Sequence, residues 1–316
     1  MFSIIITQII KMLLILLVGV LCYRLKLIDD HANKGLANLL LLVVNPIVAV
    51  TALQTDYSPE LVTGLLISYG LAILTHLFMI LISNLCIRED GNDNCAVERF
   101  AATYSNCGFI GIPLVQSILG SEGVLYLTAY MTVFNIFSWT HGLGLMTRDR
   151  SSSHDKPGVA ASVKTLLGHL CTPMIIASFL GLICFFLQIK FPPILSDTLT
   201  YIGNMNTPLA MIIAGVSVAQ TSIPAILKNK RIYLVSLIKL IVMPAILFVI
   251  LLVVRVNSTV AYTMLVAAAC PCAATGTAFA LKFQKNYAYS SEIYAFSTLC
   301  SLLTVPAFVY AAERLL

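Results

Sequence analysis

The chain has 316 residues, of which 59% are hydrophobic and 10% charged, with a formal net charge of +5 and a mean hydropathy of +0.93. Soluble domains carry roughly a quarter charged residues, so an ordinary water-soluble enzyme is excluded. No polar stretch between the apolar runs exceeds about 20 residues, which leaves no room for a nucleotide-binding, kinase or receptor domain.

A membrane-crossing helix needs ~20 mostly apolar residues. Apolar periods bounded by polar turns predict ten such spans, at 4–23, 35–54, 61–86, 98–119, 122–146, 166–189, 197–221, 232–254, 258–281 and 289–312. The first has no basic start, carries Lys11 in its interior and shows no small-residue cleavage pattern before Tyr23, so it reads as a retained helix rather than a secretory signal. Of the 19 Lys and Arg, Lys190, Arg255 and Arg314 fall on one side, Lys11 and Lys239 lie within spans, and all the others fall on the opposite side. Basic loops mark the cytoplasmic face. Loops 24–34, 87–97, 147–165, 222–231 and 282–288 are therefore expected in the cytoplasm, with both termini extracytoplasmic and the chain in the cytoplasmic membrane. The positive charge follows from this topology, and no nucleic-acid partner is expected. The nine cysteines are odd in number and lie mostly inside apolar spans, where cysteine packs as a small hydrophobe. No disulfide framework follows.

The longest polar linker, 147–165, divides the chain into 1–146 and 166–316, with five spans in each part. One constant offset pairs Gly19 with Gly181, Cys22 with Cys184 and Pro46 with Pro208; a slightly longer one pairs Gly111 with Gly276 and Asn106 with Pro271. Five spans per repeat make the second repeat enter from the other face, so the expected fold is an all-α membrane protein built as a 5+5 inverted repeat. Such repeats bind substrate near the midplane, at helices interrupted by Gly, Pro or small polar residues. The fourth span holds YSNCGFIGIPL at 104–114, and its counterpart, the ninth, holds AACPCAATGTAFA at 268–280. Two antiparallel broken helices crossing at these points present two half-helix N-termini to one spot, each with roughly half a positive charge, and such a spot favours an anion. Asn106 adds an amide donor there, Pro113 and Pro271 hold the breaks open, and Gly108, Gly111 and Gly276 admit close backbone approach. The bland alternative is that each Pro marks only a kink.

These residues resemble the auxin efflux carrier family, whose bacterial members include malate and malonate permeases. The resemblance covers nearly the whole chain: YRLKLIDDHANKGLANLLLLVVNPIVA at 23–49, SNCGFIGIPLV at 105–115, NTPLAMIIAGVSVA at 206–219, the basic-then-proline pattern from Lys239 to Pro244, and Pro271 followed by FALKFQKNY at 279–287. Family members place an Asn five residues before Gly-Ile-Pro at the crossover, against the substrate carboxylate, and Asn106 with Gly111, Ile112 and Pro113 matches that pattern. The resemblance implies a ten-helix crossover fold similar to bile-acid and sodium/proton transporters. It implies a scaffold from spans 1, 2, 6 and 7, shaped by Pro46 and Pro208, and a transport domain from spans 3–5 and 8–10. Elevator-like alternating access and a homodimer joined through the scaffold are implied as well. One departure is Cys272, which follows the ninth-span proline where plant members carry an amide; a second side-chain amide and an auxin-like substrate are therefore unsupported.

A cation inside a span is a functional candidate. Lys239 either compensates an anionic substrate or helix C-terminal carbonyls, or snorkels to an interface. His76 either carries a coupling proton or is hydrogen-bonded between helices. Spans four and nine carry no carboxylate at the crossover, which argues against cation exchange. The expected function is therefore a permease, facilitative or proton-linked, for small carboxylates such as malate or malonate, bound by Asn106, Cys107, Gly108, Gly111, Pro113, Pro271, Cys272 and Gly276, with no cofactor. The alternative is soft-metal transport, because Cys270-Pro271-Cys272 reproduces the intramembrane thiolate motif of heavy-metal pumps and Cys107 can approach it. Against that, ATGT at 274–277 lacks the Asp-Lys of a phosphorylation loop, and no metal ligand set is assigned. A sensor would need a docking domain, and the 147–165 linker with its Ser151–Ser153 run reads as solvated loop. An enzyme is not expected: Ser138 and His141, three apart, lack an orienting carboxylate and read as packing.

Overall fold

The computed structural model describes residues 2–89, 94–147, 172–221 and 223–315. The cytoplasmic linker expected at 147–165, including its serine run, lies almost wholly outside the described residues. Within them the chain is helical: α1 (Phe2–Arg24), α2 (Asp30–Ala52), α3 (Pro59–Cys86), α4 (Cys95–Thr103), α5 (Cys107–Thr147), α6 (Pro173–Leu187), α7 (Pro193–Gly203), α8 (Asn206–Ala219), α9 (Ile223–Lys228), α10 (Lys230–Val253), α11 (Ser258–Ala269), α12 (Thr275–Lys282) and α13 (Tyr287–Leu315). Seven helical stretches are long and apolar enough to cross a membrane: α1, α2, α3, α5, α7 continuing into α8, α10 and α13. Helices α6 and α11 are shorter apolar helices. The protein is thus a multi-pass membrane protein. The fourth and fifth expected spans meet inside α5, 41 residues long, which bends sharply at Gly120 instead of passing through a loop. Gly120 has φ 64° and ψ −153°, a conformation essentially reserved for glycine.

Helix starts follow from local side chains. Asp29 accepts from Ala32 N, Ser58 from Leu61 N ahead of Pro59, and Thr172 from Ile175 N ahead of Pro173. Each satisfies one of the amides that a helix N-terminus leaves unpaired. Three prolines inside the longer helices act differently. Pro46, Pro113 and Pro244 each follow by two residues a π-helical turn, at Leu40–Val44, Cys107–Gly111 and Ile238–Val242. Proline has no N–H and its ring crowds the carbonyl of the preceding turn, so the chain widens there instead of holding α geometry.

Helix α1 runs along α8, with Gly19 and Gly215 at the crossing. A Cβ on Gly19 would strike the Ile212 carbonyl, and one on Gly215 the Leu16 carbonyl, so only glycine permits this approach. The second part of α2 packs on α6, α3 packs on α5, and α11 packs on α5 and α13. Large apolar side chains such as Leu14, Leu21, Leu66, Phe179 and Leu303 are exposed, as expected of surfaces that face lipid. Most of the buried polar residues are small hydroxyls, and many of these bond to a carbonyl of their own helix, as Ser68 does to Gly64 and Thr75 to Leu71.

At one end of the molecule the termini of α3, α4, α10 and α13 are tied together. Glu98, 1% exposed, accepts from Arg231 Nε at 2.9 Å and from Tyr289 Oη at 2.8 Å. Arg99 donates to the Ile87 carbonyl and pairs with Glu89 at 3.0 Å. Ile87, Glu89, Arg231 and Tyr289, which lie in or beside three loops expected on one side, therefore meet at one end.

Candidate functional site at the crossing of two broken helices

Both sequence-predicted breaks are present. Helix α4 ends at Thr103 and α5 starts at Cys107; α11 ends at Ala269 and α12 starts at Thr275. The two extended segments pair as a single antiparallel bridge between Ser105 and Cys272, with Asn106 N donating to the Pro271 carbonyl at 2.8 Å and Ala273 N to the Tyr104 carbonyl at 2.9 Å. Cys272 N in turn donates to Ser297 Oγ of α13 at 3.2 Å. This pairing is how a non-helical backbone satisfies its polar groups inside apolar protein.

A cavity of about 290 Å³ opens beside the crossing. Its polar lining is Asn45, Ser105, Asn106, Asn135, Thr172 and Thr275; its apolar lining includes Leu41, Phe109, Met131, Phe134, Trp139 and Met174. Asn106 is 5% exposed; its Nδ2 and the nearby Tyr294 hydroxyl lie close to each other without a well-formed hydrogen bond, and the Thr275 hydroxyl has no partner either. The first residues of α5 and of α12, whose N–H groups lack intrahelical partners, border the same cavity.

Of the expected site residues, Asn106, Cys107 and Gly108 line this cavity. Pro271 and Cys272 supply the paired backbone behind it. Gly111 lies further back, where a Cβ would stand 3.4 Å from both Cys107 Cβ and Cys270 Sγ, and Gly276 packs against the ring of Phe100. Pro113 is buried in the first turn after the π segment of α5. Pro46 and Pro208 lie in α2 and α8, outside the lining. Among the described residues no three of His, Cys, Asp or Glu converge in a way that could hold a metal.

Lys239 is fully buried and does not snorkel. Its ammonium donates to Ser105 Oγ and, at 2.9 Å, to the Ala268 carbonyl near the end of α11, so it joins the two crossing segments from behind the cavity. A cation beside the C-terminal carbonyls of a helix meets the negative end of its dipole. Ser105 Oγ is also 3.3 Å from Tyr130 Oη. Tyr130 packs on the ring of His76 with centroids 4.9 Å apart. His76 shares a hydrogen bond through Nδ1 with the Ala72 carbonyl at 2.8 Å, while its buried Nε2 has no partner. Ser138 and His141 do not pair: Ser138 Oγ bonds to the Asn135 carbonyl, and His141 Nδ1 meets Tyr104 Oη at 2.9 Å.

Sequence reasoning passed over Asn45, Asn135 and Thr275, each an ordinary polar residue on a helix, and Glu98, which reads as a solvated end residue until Arg231 and Tyr289 close over it. An Asn directly before the helix-widening Pro46 was the one available signal for Asn45.

Comparison with known proteins bears on what such a site serves. The chain is 24% identical over 218 residues, 69% of its length and 68% of the relative's, to proteins described as the uncharacterized transporter YfdV of Escherichia coli strain K12, of Escherichia coli O157:H7 and of Shigella flexneri. Residues 4–309 match the family model described as "Membrane transport protein". That match spans nearly the whole chain and includes both broken helices, and with it the chain belongs to the membrane transport protein family, the auxin efflux carrier family that its motifs resemble.

Proposed function

We propose that this transporter carries small organic anions bearing a carboxylate, held in the cavity beside the crossing. The observation that carries this reading is Asn106: a buried amide N–H group without a well-formed hydrogen bond in the protein, at the start of one half-helix and across from the start of another. An unpaired buried donor is unfavourable by about 1–3 kcal/mol, which a bound acceptor removes. Helix N-termini add a preference for negative charge. The cavity lining has no Lys or Arg and is mostly apolar. This supports one carboxylate headgroup attached to an apolar body; the second carboxylate of malate or malonate would draw on Asn135 and Thr172.

The ten-span inverted repeat, the division into scaffold and transport domains, elevator-like movement, a homodimer and extracytoplasmic termini complete the proposed carrier. In it Lys239 compensates the crossing from behind, and His76 is the group through which a proton gradient would act. The test is uptake into proteoliposomes of labelled benzoate, lactate, malonate and malate, with copper and zinc alongside, with and without an imposed pH gradient. Carboxylate flux that Asn106→Ala lowers about tenfold or more supports the reading. Metal flux abolished by Cys270→Ser, with no carboxylate flux, would overturn it.

A further inference from the structure

Asn45 lies in α2, just after its π-helical turn, and its side chain meets that of Asn206 at the start of α8. Asn206 Nδ2 donates to Asn45 Oδ1 at 2.7 Å and lies 3.5 Å from the Gly108 carbonyl. Both residues are 3% exposed. A side-chain amide has one acceptor end and one donor end, so a bond into Oδ1 turns the donor end of Asn45 away from Asn206. That end faces the first turn of α5: a Cβ on Gly108 would stand 3.0 Å from Asn45 Nδ2. Asn45 Nδ2 makes no hydrogen bond among the described residues, and Asn45 lines the same cavity as Asn106.

We infer that Asn45 is a second carboxylate-binding residue, held in its donor orientation by Asn206, so that the anion is clamped between the middle of α2 and the start of α5. The inference rests on the organic-anion reading above. Two amides in apolar protein are unfavourable unless their polar ends are used. Their mutual bond uses one end of each, and a carboxylate with two oxygens can take the Asn45 and Asn106 donors together. Asn206 does not line the cavity. It is a positioning residue that acts through Asn45.

The experiment measures initial uptake rates of benzoate and malonate by the full-length protein in proteoliposomes, with Asn106→Ala in parallel. Asn45→Ala is expected to raise KM about tenfold or more, with the maximal rate little changed. Asn45→Ser keeps a donor and is expected to fall between wild type and Asn45→Ala. Asn206→Ala is expected to raise KM in the wild-type background and to add nothing in the Asn45→Ala background. Asn206→Asp has no donor for Asn45 Oδ1; it turns the Asn45 amide around, presents an oxygen to the anion and raises KM more than Asn206→Ala. A wild-type KM in Asn45→Ala, with flux still lost in Asn106→Ala, would overturn the inference and leave the organic-anion reading standing. So would multiplying effects of the Asn45 and Asn206 changes. Absence of carboxylate flux in the wild type would overturn both.

Discussion

Arg231→Met should destabilise this protein more than Glu98→Gln, although the two changes break the same ion pair. The Glu98 side chain is 1% exposed and that of Arg231 29%. Removing the arginine strands a buried carboxylate that, among the described residues, keeps the Tyr289 hydroxyl as its hydrogen-bond donor. Removing one partner of a buried pair typically costs about 3–5 kcal/mol, and the remaining tyrosine bond places this case near 3 kcal/mol. Removing the carboxylate leaves a guanidinium already in reach of solvent, and glutamine still accepts from Tyr289; about 1 kcal/mol is expected. For a chain of this size a change of 1 kcal/mol moves Tm by roughly 2 °C. The expected losses are therefore about 6 °C for Arg231→Met and about 2 °C for Glu98→Gln, with the double variant recovering part of the larger loss. Thermal unfolding in detergent, followed through the fluorescence of the single tryptophan, Trp139, reads these values. Equal losses, or a double variant as poor as the sum of the singles, would refute the argument that the buried carboxylate sets the asymmetry.

Gly120→Ala places a Cβ on backbone at φ 64° and ψ −153°, and about 1–3 kcal/mol of strain should lower Tm by roughly 2–6 °C in the same assay. An unchanged Tm would mean that the α5 bend relaxes without loss. Lys239→Met trades a desolvated ammonium for a side chain of similar length. Folding should be nearly unaffected, within about 2 °C. Carboxylate uptake should fall at least about tenfold, because the bonds from the ammonium to Ser105 and the Ala268 carbonyl are lost. Normal uptake by this variant would remove Lys239 from the machinery.

The amino-acid sequence by itself determined the membrane class and where the helices fail. Long apolar runs must bury their backbone polar groups in helices; Pro271 lies within the second break, while Gly108, Gly111 and Pro113 follow the first, where the chain resumes as a π-helical turn and then an α-helix. The sequence also singled out Asn106 and Gly108, an amide and a glycine in an otherwise apolar stretch, and both line the cavity beside the crossing. The sequence could not reveal which side chains meet across the fold. Lys239 in isolation reads equally well as a snorkelling cation or a buried one; Ser105 and the Ala268 carbonyl, 134 and 29 residues away, decide for burial. Asn45 and Asn206 are 161 residues apart and each is unremarkable in its own helix. The tight crossing of α1 on α8 brings those helices close enough that Gly215 packs against the backbone of residue 16. Helical periodicity and membrane length are properties of neighbouring residues, legible in a string of letters. Hydrogen-bond partnership and cavity shape arise from packing between distant segments, and only the tertiary structure supplies them.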